Sequence, residues 1–374
     1  MSGDRIRLLL VNTVPTVRNG QTMFLLKYLR AMDLSDMDVG YVARNVVEPE
    51  LKRQLSEQNV RIYELPMRNR QPLIYLKRLT AIIRDGGYNV VHANGNSATL
   101  FWEMLAARLC GVRVRIAHSH NTFCVHRAAH RLLYWPMQWL TTDPMACGRE
   151  AGMWLFGDRP FEIVPIASDP ETYRYREDVR RELRARMGLE GKTAVGCVAG
   201  FNAQKNHGFL LRAFAKALRR NGDLRLILIG DGKLRPQIED EIRELRLEPA
   251  VTLTGEVSDV PERLQAMDAM ALPSLAEGFP NVLVEWQLAG LSTLVSDAVT
   301  RDCAMTDLLR YLPLDEEVWA EAMAELRPGD REAASREGAR QVAARGYDVR
   351  VEAEKLKRRY REMLDRRQER GGRA

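Results

Sequence analysis

The 374-residue sequence predicts an α/β protein of two doubly wound, Rossmann-like units facing each other across a cleft. Three observations carry this. Short apolar runs alternate with amphipathic stretches of helical period along nearly the whole chain. The polar stretch Ser168-Asp-Pro-Glu-Thr-Tyr173 interrupts that alternation near the middle. The length also suits two domains of ordinary size, and a cleft between domains is a preferred place for a small ligand.

The first unit is expected over residues 1–170. Its strands are predicted at 6–11, 39–43, 60–64, 90–93, 114–118, 144–147 and 161–164, with helices at 23–31, 74–85 and 99–110. The second unit, residues 171–348, repeats the pattern with strands at 194–199, 224–229, 251–254, 269–272 and 293–296. Residues 349–366 are charged and rich in helix formers. Val351, Leu356, Tyr360 and Leu364 fall at helical spacing, so a C-terminal helix follows, with a frayed tail after Arg367.

Composition bounds the function. Hydrophobic residues make up 45% and charged residues 28%, which is ordinary for a soluble protein with sizeable cores. No apolar run approaches the length of a membrane span, and the first one is too short for a secretory signal. The five cysteines are scattered without C-x-x-C spacing and fit small core residues in a reducing compartment. The expected location is the cytoplasm, with the inner face of the membrane as a possible station. The net charge of +6 lies wholly in residues 1–170, where 21 Lys+Arg face 15 Asp+Glu; residues 171–374 balance at 35 each. That favours an anionic acceptor or an anionic membrane surface for the first half. Nucleic acid is disfavoured, because no reader motif accompanies the charge.

The most informative stretch is Glu277-Gly-Phe-Pro-Asn-Val-Leu-Val-Glu285. It follows the short apolar run 268–272, which Pro273-Ser274 ends, and it leads into a helix closed by Gly290. Glu277 therefore stands at the carboxyl end of a strand, where open α/β sheets place ligands. Glu285 lies about one turn into the helix. Between them, Asn281, Val282 and Leu283 supply first-turn N–H groups that suit a phosphate. Gly278 and Phe279 complete the turn. Two carboxylates flanking a phosphate seat suit a nucleotide-sugar, whose hydroxyls donate to them. A solvated loop glutamate beside an ordinary helix glutamate is the plain alternative.

Val198-Ala-Gly-Phe-Asn-Ala-Gln-Lys-Asn-His207 is the second signal. Lys205 ends a strand-to-helix loop and offers a point charge to a diphosphate, or is simply a surface lysine. In Ile116-Ala-His-Ser-His120, alternation lets only one of His118 and His120 face the cleft, and His120 starts the loop. Counting His126 and His130 invites a metal reading, which nearby Arg127 and Arg131 oppose. Asn19-Gly20 joins the first strand to the first helix, and Gly20 permits close backbone approach. Gly230-Asp-Gly232 is too short for a dinucleotide fingerprint, and Gly255-Glu256-Val257 is a candidate base-binding loop. Asp36-Met-Asp38 reads as loop charge. The stretch 127–140, with Trp135 and Trp139 among arginines, reads equally as membrane contact or as a core helix interrupted by Pro136.

These motifs resemble the retaining GT-B glycosyltransferases of family 4, and their capsular and exopolysaccharide branch in particular. The resemblance rests on the E-x7-E pair and on Phe201 with Gln204-Lys205-Asn206. It also rests on Asn94-Gly-Asn-Ser97, His118-Ser-His-Asn121, Ala146-Cys-Gly148, Trp154-Leu-Phe-Gly157 and Gln265-Ala-Met-Asp268. It implies a UDP-sugar donor as substrate, with no cofactor and no obligatory metal, and a glycan acceptor linked to a lipid diphosphate. It further implies that Glu277 holds donor-sugar hydroxyls, Glu285 the ribose, Lys205 the diphosphate, and that His120 steadies the charge developing during transfer. The C-terminal helix is implied to brace the first unit. Gly200 departs from the pattern, standing where the family carries an arginine on the diphosphate. That departure keeps open a non-catalytic partner in a glycan assembly complex; a nucleotide-sugar 2-epimerase of the same architecture is also open.

Overall fold

The computed structural model describes residues 5–44, 47–327 and 329–371. The chain divides into two compact units, Met1–Ala167 with Val349–Ala374, and Ser168–Asp348. The first runs β1 (Ile6–Pro15), α1 (Gly20–Ala31), β2 (Met37–Arg44), α2 (Pro49–Glu57), β3 (Arg61–Leu65) and α3 (Pro72–Asp85). It continues with β4 (Val90–Gly95), α4 (Phe101–Leu109), β5 (Val114–Ser119), α5 (Arg127–Leu140), β6 (Asp143–Ala146), α6 (Arg149–Phe156) and β7 (Glu162–Ile163). The second opens with α7 (Pro170–Tyr173), α8 (Glu177–Arg186), β8 (Thr193–Val198), α9 (His207–Arg220), β9 (Leu224–Ile229), α10 (Arg235–Glu244) and β10 (Val251–Gly255). It closes with α11 (Val260–Ala266), β11 (Ala269–Leu272), α12 (Asn281–Leu288), β12 (Ser292–Ser296), β13 (Leu309–Leu312), α13 (Glu316–Ala324) and α14 (Arg331–Ala344). The chain then returns to the first unit as α15 (Val349–Gly371).

Both sheets are parallel, ordered β3-β2-β1-β4-β5-β6-β7 and β10-β9-β8-β11-β12-β13. Each reverses direction once, at β1/β4 and at β8/β11, and such switch points are where doubly wound sheets leave a crevice at their carboxyl ends. Two apolar layers sandwich the second sheet. One gathers Phe209, Leu210 and Phe214 of α9 with Trp319 of α13; the other gathers Leu283 and Trp286 of α12 with Val342 of α14. β13 extends this sheet beyond the five expected strands. Its Leu-Arg-Tyr-Leu is too short and too exposed at Arg310 to register as an apolar run.

The C-terminal helix is longer than expected. No helix breaker precedes Gly371, and Arg367 is held by Asp143 at 3.1 Å, so the predicted fraying does not begin there. Residues 372–374 lie outside the described residues. Leu356, Tyr360 and Leu364 are buried as anticipated, but Val351 is exposed, and Ala353 and Met363 complete the stripe instead. Asp36, read as loop charge, pairs with Lys357 at 2.7 Å and with Arg361, fastening the helix to the α1–β2 turn.

Asp268, just before β11, is a buried hub. It accepts from Arg184 at 2.9 Å, from the Ala194 amide of β8 at 2.8 Å, and from Arg180. Removing the carboxylate leaves two largely buried guanidinium groups with backbone carbonyls but no counter-charge, a loss of about 3–5 kcal/mol. Asp268→Ala is expected to lower the unfolding free energy of the second unit by that amount in a denaturant titration.

Candidate functional site

At the carboxyl edge of the second sheet, the loop after β8 is sewn to the loop after β11. Gln204 Nε2 donates to the Ala276 carbonyl at 2.6 Å, and the Leu275 amide donates to the Gln204 carbonyl at 2.9 Å. Asn206 Nδ2 donates to the Pro273 carbonyl at 3.3 Å, its backbone being left-handed at φ 56°. Asn202 starts the 3-10 turn 203–205 by accepting from the Lys205 amide at 3.2 Å. Lys205 Nζ is thereby delivered onto Glu277 Oε1 as an ion pair, with both side chains largely buried. The sequence assigned these two residues separate tasks; the structure brings them together. It also gives Gln204 and Asn206 a purpose that spacing did not reveal, since their partners lie some seventy residues away.

Glu277 forms a backbone bridge to Val299, and α12 begins four residues later. The cap residue Pro280 has no side-chain donor or acceptor, and its carbonyl takes the Leu283 amide at 3.1 Å. Leu283 itself points into the core, so its share in a phosphate seat is closed on both counts. Among the described residues, no acceptor pairs with the amides of Asn281 or Val282. An open first turn without an acidic residue is a seat for an anion. Glu285 lies one turn on, 9% exposed. Phe279 stacks on Tyr347 with centroids 5.3 Å apart, which holds the turn at Gly278.

The far end of α12 is anchored. Ser335 Oγ donates to the Leu288 carbonyl at 2.6 Å, and Arg331 Nη2 donates to the Ala289 carbonyl at 2.8 Å. These satisfy orphan carbonyls with a cation at the negative helix end. Gln287 accepts from the Met305 and Thr306 amides and donates to the Cys303 carbonyl, so the helix cannot slide.

Around this seat, Gly200 is exposed, and a Cβ there would meet nothing closer than Asn202 Nδ2 at 3.7 Å. A long side chain therefore fits. The turn at Gly230 and Gly232 does require glycine: φ is 145° and 157°, and a Cβ would lie 2.1 Å from the Ala199 carbonyl oxygen and 2.5 Å from that of Phe201. Glu256 is exposed at the end of β10, and Val257 is half-buried against the α12 core.

In the first unit, His118 is buried on β5 and His120 follows the strand's last residue, half-buried at its rim. The expectation that only one of them takes a given face does not hold, because residues two apart on an extended chain share a side and here their rings stack. Asn94, at the end of β4, donates to the His92 carbonyl at 3.2 Å, which leaves its Oδ1 as an acceptor for His120 Nε2–H at 2.8 Å. His120 Nδ1 is then the unprotonated nitrogen. Burial pushes the His120 pKa down to about 3, so the imidazole is neutral. Phe24 of α1 meets its ring edge-on at 4.8 Å, and His118 stacks on it at 4.2 Å. Behind it runs a relay no spacing could disclose. Tyr360 of α15 bonds His92 Nδ1 at 2.7 Å, and His92 Nε2 bonds His118 Nδ1 at 2.9 Å. Burial lowers the pKa of His92 to about 3 and that of His118 well below the ordinary histidine value.

Gly20 opens α1 behind the cap Asn19, whose Oδ1 accepts from the Thr22 amide at 3.0 Å. The other two histidines of the cluster go elsewhere: His126 bonds Asn69 at 2.9 Å, and His130 stacks on Trp154. Among the described residues, no group of three His, Cys, Asp or Glu could hold a metal ion.

Residues 192–327 match the family described as "Glycosyl transferases group 1", and residues 19–146 match "Glycosyl transferase 4-like domain". The putative glycosyltransferase EpsF of Bacillus subtilis (strain 168) is 31% identical over 350 residues, which is 89% of this chain and 90% of EpsF. The Escherichia coli UDP-Gal:alpha-D-GlcNAc-diphosphoundecaprenol alpha-1,3-galactosyltransferase is 26% identical over 60% of this chain and 62% of its own length. Anabaena Alr3699/HepE, solved in complex with UDP and glucose, superposes with a TM-score of 0.76 at 16% identity, covering 94% of this chain and 98% of that one. At that identity the likeness shows the fold.

The buried histidines give the stability a pH dependence. His92, His118 and His120 are held neutral, with folded pKa values below the unfolded value of about 6.5. Their stabilisation is complete above that value and is lost as pH falls toward the folded ones, reaching about 2 kcal/mol per histidine by pH ~5. The melting temperature is expected to drop steadily between pH ~7 and ~5, and His118→Leu to flatten that slope.

Proposed function

The chain belongs to the group 1, family 4 retaining glycosyltransferases of GT-B fold, and from this premise we propose its reaction. It moves a hexose or N-acetylhexosamine from a UDP-sugar to a glycan acceptor carried on a lipid diphosphate, in capsular or exopolysaccharide synthesis. The UDP preference is supported by the nucleotide in the HepE complex and in the name of the Escherichia coli relative. The lipid-linked acceptor is supported by that same name.

The observation that carries the site assignment is the Lys205–Glu277 pair beside the open first turn of α12. In the free protein, Lys205 neutralises Glu277. An incoming diphosphate competes for the ammonium, draws it onto the leaving group and seats against the Asn281 and Val282 amides. Glu277 is then released to accept hydroxyl hydrogen bonds from the donor sugar. Glu285 accepts from the ribose, and Glu256 and Val257 border the base. In the first unit, His120 keeps the role its sequence context implies, a neutral acceptor for the sugar through Nδ1. As the glycosidic bond loosens, the leaving diphosphate oxygen takes the proton of the attacking hydroxyl on the same face, which retains configuration. Charge on the leaving group is met by Lys205 and the helix start, so the acceleration comes from positioning and electrostatics. No divalent metal is required in this scheme.

Gly200 favours one other reading, a non-catalytic partner, because a guanidinium on the diphosphate would add about 1.5–3 kcal/mol. Calorimetric titration with UDP, GDP and a UDP-sugar panel, with and without divalent metal, separates the two. Metal-independent binding of UDP and one sugar form is expected; no binding to any nucleotide sinks the transferase reading. Glu277→Gln frees Lys205, so UDP is expected to bind as tightly or more tightly while transfer falls at least a hundredfold. Loss of UDP binding in that variant would contradict the exchange. Gly200→Arg, for which there is room, is expected to tighten UDP by about tenfold or more.

A further inference from the structure

We propose that the outer face of α5 seats the first unit on an anionic lipid bilayer. The helix is apolar on two opposite sides. Its inner side is fixed: Met137 is fully buried, Gln138 Nε2 donates to the Leu155 carbonyl at 2.9 Å, and Arg159 binds the carbonyls of Gln138 and Thr141. At 100° per residue, Leu132, Trp135 and Trp139 fall within one narrow arc on the opposite side. They are 78%, 65% and 79% exposed, and nothing in the first unit covers them. Phe123 and Val125, in the segment leading into the helix, are exposed as well. Arg127 and Arg131 flank the same arc, and both are exposed.

The identity of the occupant follows from charge. With α15 counted where it packs, the first unit carries 31 Lys+Arg against 19 Asp+Glu, and the second 25 against 31. The first unit is thus net +12 and the second −6. Large exposed apolar side chains follow the same division: of those among the described residues, all but Leu275 belong to the first unit. Tryptophans at an apolar face, with arginines on its shoulder and a cationic body behind, match the chemistry of a headgroup region of negative charge. No helix of the described residues is long and apolar enough to cross a membrane. The face therefore lies on the surface of the bilayer.

The test is co-sedimentation of the full chain with phosphatidylcholine vesicles and with vesicles of equal parts phosphatidylcholine and phosphatidylglycerol. Binding is expected to the mixed vesicles and not to the neutral ones. It should carry a blue shift in tryptophan emission, because Trp135 and Trp139 enter the interface while Trp286 and Trp319 are already buried. Trp135→Ser with Trp139→Ser should abolish both effects. Arg127→Gln with Arg131→Gln should weaken binding by about fivefold per residue. Val351→Ser, at an exposed apolar residue of α15, should change nothing. Unchanged circular dichroism and UDP titration of each variant show that the fold and the nucleotide site are intact, so this proposal and the proposed reaction fail separately. Absence of binding to the mixed vesicles, or binding that survives the double tryptophan change, overturns the proposal. So does a dimer in solution that the tryptophan changes dissociate, because the face would then join two copies of the chain.

Discussion

Two neighbouring parallel strands, β8 and β11, send their chains to opposite faces of one sheet, and the second unit is organised by that divergence. α9 packs into one apolar layer and α12 into the other, so the two loops must part at the sheet edge. Left alone, such a gap would expose unpaired backbone on both loops. Gln204 and Asn206 close it from one side, and the Lys205–Glu277 pair joins the same two loops. The sheet edge thus carries open backbone amides, one ammonium and two carboxylates on segments tied to each other by hydrogen bonds. The anchoring of α12 by Ser335 and Arg331 transmits the same rigidity to its far end.

The first unit solves a similar problem with neutral groups. Asn94 lies near the end of β4 and His120 just past β5, with His92 deeper in β4, and all carry amide or uncharged imidazole chemistry. Hydrogen-bond direction, rather than charge, is what this edge of the sheet specifies. That suits recognition of hydroxyl groups, which both donate and accept. The two units are therefore built on one topology with different electrostatic characters.

How much of this was legible in the sequence depends on range. Strand positions were readable because buried parallel strands are nearly continuous apolar runs, and β13 escaped because Arg310 interrupts it and only its last residue, Leu312, is buried. Alternation along β5 does not separate His118 from His120: residues two apart share a face, and their rings stack at 4.2 Å, differing only in depth. By contrast, Lys205 with Glu277 and Tyr360 with His92 are pairs 72 and 268 residues apart, and nothing local marks either. The stitching roles of Gln204 and Asn206 were hidden for the same reason. The charge imbalance was underestimated because α15 was counted with the half of the chain that precedes it, rather than the unit it packs on. Val351 was misplaced because a 3.6-residue period read from four residues leaves the stripe free to rotate by one position.

The return of α15 also orders events in time. Leu356, Tyr360, Met363 and Leu364 are core residues of the first unit, yet they are translated after the whole of the second. At ordinary translation rates, the intervening second unit takes roughly ten to forty seconds to synthesise. Throughout that interval the nascent first unit lacks the helix that covers α1 and supplies the partner of His92. The first unit is thus completed only after the second, and translation halted between residues 348 and 356 leaves a fully translated second unit behind an incomplete first one.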